Sequence, residues 1–149
     1  MKFFIKIIIF LIIIPSKSFS LIEVDITRGN LDPLPIAVSP LSIDENSRQN
    51  FEKILKKKNI GDEISKIIEV NLKTSGLFNP LNKDAFLQAP DIANLKPRFE
   101  DWNLIKAQAL ITGKVSYLDE KLRVEFRLWD VLAGKEMVAL AFTTVPTNW

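Results

Sequence analysis

Apolar and polar residues alternate most regularly near the carboxy-terminal end of the chain. There Leu122, Val124, Phe126 and Leu128 interleave with Arg123, Glu125, Arg127 and Trp129, the period-two signature of a strand with one buried face. Asp119-Glu-Lys121 supplies a hairpin turn before it, and Ala109 to Tyr117 reads as the preceding strand. Lys135 to Val145 reads as a third antiparallel strand, ended by Pro146. Leu34 to Leu41 is short and apolar, with prolines at 35 and 40 that confine regular pairing to its middle, and so reads as an interior strand with loosened ends. Leu21-Ile-Glu-Val-Asp-Ile-Thr27 alternates again, apolar at Ile22, Val24 and Ile26, as a half-buried or edge strand does, and Arg28 to Pro33 breaks it.

Between these strands the period changes. Ile60, Ile64, Ile67, Ile68 and Leu72 recur at helical spacing, with Asp62 placed to cap, Lys73 in the final turn and Gly76 able to close the helix in the left-handed conformation. Residues 42–60 are polar, with Phe51, Ile54 and Leu55 as their only apolar stripe and a solvated Lys56-Lys57-Lys58 run, which fits either a short surface helix or a mobile insertion. A loop is expected through Asn79-Pro80 and on from Pro90 to Pro97. After it, Asp101 precedes Trp102, Leu104, Ile105 and Ala109 in a second helix of two to three turns. The pattern predicts an α/β (α+β) domain: a mixed sheet of about five strands with two or three helices on one face. No internal repeat and no propeller-blade period is present.

Residues 1–20 stand apart. Lys2 and Lys6 precede an apolar run from Ile7 to Ile14, then Pro15 and small Ser18 and Ser20, the order of a secretory signal peptide, with cleavage expected between Ser20 and Leu21. The run falls well short of the ~20 residues of a bilayer-spanning helix, so a permanent membrane span is not expected. The domains are then a signal peptide, 1–20, and one domain, 21–149. The overall net charge of +2 misleads, because the leader holds Lys2, Lys6 and Lys17 and no acid; the remainder carries 17 basic and 18 acidic residues, which gives no argument for a nucleic-acid surface.

Cysteine and histidine are both absent, which excludes disulfides, a thiol nucleophile, an imidazole base and the usual zinc sites. The five glycines, at 29, 61, 76, 113 and 134, form no phosphate or dinucleotide loop. Neighbouring acids occur as Glu23 with Asp25 and Asp62 with Glu63, but both pairs read as exposed strand or helix-start charges rather than as an acid–base pair. No enzyme, metal or cofactor is expected.

Several stretches in order resemble the amino-terminal domain of the TolB family: Val24-Asp-Ile-Thr-Arg-Gly-Asn-Leu-Asp-Pro-Leu-Pro-Ile-Ala-Val38, Leu72-Lys-Thr-Ser-Gly-Leu-Phe-Asn-Pro-Leu81, Trp102 through Ala109-Leu-Ile-Thr-Gly-Lys-Val115, and Arg127-Leu-Trp-Asp-Val-Leu-Ala-Gly134. The residues themselves read as fold maintenance: Gly76 ends a helix, Phe78 turns inward, Gly113 permits close backbone approach. The resemblance implies an anticodon-binding-domain-like fold and a non-catalytic component of the periplasmic Tol-Pal system, which serves outer-membrane constriction in cell division and envelope integrity. It further implies TolA as the partner, held by the arm just after the signal peptide, here Leu21, Ile22, Glu23, Val24, Asp25, Ile26 and Thr27. The alternation of that arm fits addition to a partner's sheet edge and equally fits a strand paired inside this domain.

The chain departs from the family twice. Residues 42–60 look longer than the corresponding stretch, and the sequence stops at Trp149 where the family continues into a closing helix and a six-bladed propeller. Pal, which the family docks mostly on the propeller, is therefore not an expected partner, and apolar sheet surface around Trp129 or Trp149 is expected to stand open. An independent periplasmic interaction module, of the kind that regulates cell-wall synthases or assembles secretion systems, is the alternative, together with an inactive remnant of a split gene.

Overall fold

The computed structural model describes residues 32–57 and 59–147. The strands are β1 (Leu34–Val38), β2 (Ser42–Ile43), β3 (Phe78–Pro80), β4 (Ala109–Leu118), β5 (Lys121–Asp130) and β6 (Lys135–Thr144). The helices are α1 (Glu45–Leu55), α2 (Ile60–Thr74), α3 (Pro90–Leu95) and α4 (Phe99–Leu104), with one 3₁₀ turn at Lys83–Ala85. The strands form a single sheet in the order β3-β1-β4-β5-β6, with β2 also on β4. β1 is parallel to both β3 and β4, whereas β4, β5 and β6 form an antiparallel meander. The sheet is therefore mixed and has six strands, one of them the three-residue β3 that its proline and its brevity hid in the sequence.

β1 is interior, as its apolar middle predicts, with Ile36, Ala37 and Val38 buried. Successive strand residues point to opposite faces. On one face Ile36, Val38, Ala109 and Ile111 pack with Ile68 and Leu72 of α2, and Val115 and Leu122 pack with Phe51 of α1 and Ile60 of α2. On the other, Ala37 and Leu110 pack with Ala93 of α3 and Trp102 of α4. The two long helices thus take the expected position on one face, and the two short ones cover the opposite face.

Of the two readings offered for residues 42–60 the structure takes the helix, α1, preceded by the two-residue β2. Asp44 Oδ1 accepts the Ser47 backbone N–H at 2.8 Å as the N-cap of α1. The buried Ser47 hydroxyl donates to Asp44 Oδ2 at 3.0 Å and accepts the Tyr117 N–H at 2.8 Å, which ties the helix start to β4. Phe51 is fully buried and meets the Tyr117 ring edge-on at 5.5 Å. α2 begins at Ile60 behind an Asn59 cap, so Asp62 lies inside its first turn instead of capping it. Gly76 has φ +73° and closes the helix as expected.

Two more differences concern residues 90–105. The expected loop from Pro90 contains α3, started by proline at its first position, and the helix carrying Trp102 begins earlier and ends at Leu104. Both helices are held by one buried side chain. Gln88 Oε1 accepts the Trp102 indole N–H at 3.1 Å and the Arg98 backbone N–H at 2.9 Å, while its amide donates to the Lys96 carbonyl at 3.0 Å.

Gly113 sits where β4 passes under the chain leading into β2. A Cβ there would lie 2.4 Å from the Glu125 carbonyl oxygen and 2.8 Å from Leu41 Cδ2. Gly113→Ala is expected to lower unfolding stability by about 2 kcal/mol or more through overpacking against backbone, and Phe51→Ala by about 3–5 kcal/mol through the cavity it leaves. Urea denaturation followed by tryptophan fluorescence measures both.

Candidate protein-docking surface

α2 crosses the sheet above β1, β4 and part of β5 and leaves the outer half of that face uncovered. Ile64, Ile67 and Ile68 of α2 form one wall of an open groove of about 330 Å³, and Leu122, Val124, Phe126, Phe142 and Thr144 form its floor. Phe126 and Phe142 stack at 5.7 Å with their planes 19° apart. Val138, Leu140 and Phe142 follow one another along β6 on this face, 41, 47 and 58% exposed. Almost nothing polar lines the groove, so it can recognise apolar shape and offers no chemistry for bond making.

This open surface lies away from Trp129, where the sequence led us to expect it. The Trp129 indole N–H donates to Thr112 Oγ1 at 2.9 Å, and Phe99 of α4 packs edge-on against its ring at 5.8 Å, so that region is covered from the opposite face. Trp149 lies outside the described residues. The sequence reading of Lys135 to Val145 as a strand covers these residues without assigning its faces; large Val138, Leu140 and Phe142 alternating with Ala139 and Ala141 are the signal that could have done so.

Several of the acidic residues are engaged in caps and ion pairs. Glu63 pairs with Lys57 at the start of α2, and Glu69 takes Lys83 at 2.9 Å and Lys66 at 3.3 Å. Asp44 is held below the usual carboxylate range, chiefly by the Ser47 backbone N–H it accepts; partial burial opposes this, and the Ser47 hydroxyl and Lys114 at 3.5 Å add to it. Among the described residues no three His, Cys, Asp or Glu side chains converge to hold a metal ion, and no helix is long and apolar enough to cross a membrane. The expected partner-binding arm, Leu21 to Thr27, with Glu23 and Asp25 on it, and the expected cleavage point at Ser20 and Leu21 lie outside the described residues.

The TolB amino-terminal domain family matches residues 22–137, most of the chain. The chain belongs to the TolB family. It is 77% identical over 141 residues to the Tol-Pal system protein TolB of Pelagibacter ubique (strain HTCC1062), an alignment that covers 95% of this chain and 32% of that protein. The chain therefore spans about a third of the length of the curated relative it matches. The crystal structure of TolB from Acinetobacter baumannii shares the fold at a TM-score of 0.58 and 17% identity, over 83% of this chain and 26% of that one. The mixed sheet and its helices are thus those of a TolB amino-terminal domain, as the resemblance implied.

Two measurements follow from this geometry. An environment-sensitive apolar dye is expected to fluoresce on binding the groove, and Phe142→Lys, which replaces an exposed ring, is expected to abolish that signal while leaving the circular dichroism unchanged. Asp44→Ala is expected to cost about 1 kcal/mol at neutral pH as a lost cap. Because the carboxyl titrates lower in the folded chain than in the unfolded one, its contribution is present above the ordinary Asp range and is lost as pH falls through the depressed folded value. The gap between parent and variant should therefore close below about pH 4 in denaturation curves.

Proposed function

We propose that the chain is the partner-binding domain of a TolB protein of the Tol-Pal system, exported to the periplasm of a Gram-negative cell by residues 1–20 and working by binding rather than by catalysis. Its partner is TolA, and its role is in outer-membrane constriction during division and in envelope integrity. The observation that carries this reading is the place of the alternating segment. Leu21 to Thr27 follows the leader directly, the family match starts at residue 22, and the Arg28 to Pro33 break separates the segment from β1.

The alternation of these seven residues suits addition to an exposed sheet edge of a partner. Backbone hydrogen bonds would supply affinity, with Ile22, Val24 and Ile26 in alternate pockets and Glu23, Asp25 and Thr27 facing water. The start of the family match just past the leader supports a mature chain beginning at Leu21. Pal, which the family holds mostly through its propeller, is not assigned to this domain.

Calorimetric titration of residues 21–149 against the carboxy-terminal domain of the cognate TolA tests the reading, alongside a chain lacking Leu21 to Thr27. Saturable binding that weakens by roughly a hundredfold or more on deletion is the expected result. A folded parent chain that releases no heat with TolA would sink it and favour an independent interaction module, whereas equal binding by both chains would remove Leu21 to Thr27 as the contact.

A further inference from the structure

We draw no further inference here: the strongest candidate, the open apolar groove between α2 and the β5–β6 half of the sheet, lined by Ile64, Ile67, Val124 and Phe142, carries nothing beyond the docking surface already described, because nothing in the structure shows what covers it.

Discussion

The structure depends on β4, because it is the strand through which the parallel and antiparallel halves of the sheet reach each other. Its first three residues pair with β1, Lys114 and Val115 pair with β2, and its whole length pairs with β5. Such a strand has its backbone taken on both sides and most of its side chains buried, so it can carry little that is polar and nothing that is bulky where chains cross. Gly113 marks that crossing, and the Ser42 hydroxyl donates to its carbonyl at 3.1 Å. The Ser47 hydroxyl receives the Tyr117 amide near the far end of β4, which fixes where α1 starts and, through the short link to Asn59, where α2 begins.

Coverage of the sheet is unequal for a reason visible in the helices. α1 and α2 have 11 and 15 residues and bring apolar stripes long enough to bury the β1–β4 half. α3 and α4 have six each, too few to be stable without tertiary support, and depend on the Gln88 hydrogen bonds and on Trp102 for their place. Neither layer extends over β6, so the apolar row there is left to recognise something beyond the described residues. Such an arrangement suits a domain that works by contact.

The sequence made the antiparallel meander legible because period-two alternation between a two-residue turn and Pro146 leaves a single register; Asp119 and Glu120, both at positive φ, form the hairpin it called for. α2 was legible from its isoleucines and Gly76. α1 was half legible: Phe51 was seen, but its full burial depends on Tyr117, 66 residues away, and no local pattern carries that. β3 and α3 were not legible. Three residues ending in proline give no alternation, and a six-residue helix behind Pro90 takes its stability from Gln88, whose partners lie 8 to 14 residues further on. The family was legible from ordered stretches whose physical roles are structural. The surface left open was not, since alternation assigns a strand its two faces without showing which of them another element will cover.

The Gln88 hydrogen bonds have a consequence for the order in which the domain opens and closes. One side chain satisfies the Trp102 indole, an amide ahead of α4 and a carbonyl at the end of α3, so these helices gain their polar partners together or not at all. Neither can nucleate alone, and both rest on Ala37 and Leu110 of strands that must already be paired. Loss of any one of these three hydrogen bonds therefore unsettles both helices, and the segment from Gln88 to Leu104 is expected to open as one unit away from the face of the sheet that Ala37 and Leu110 line.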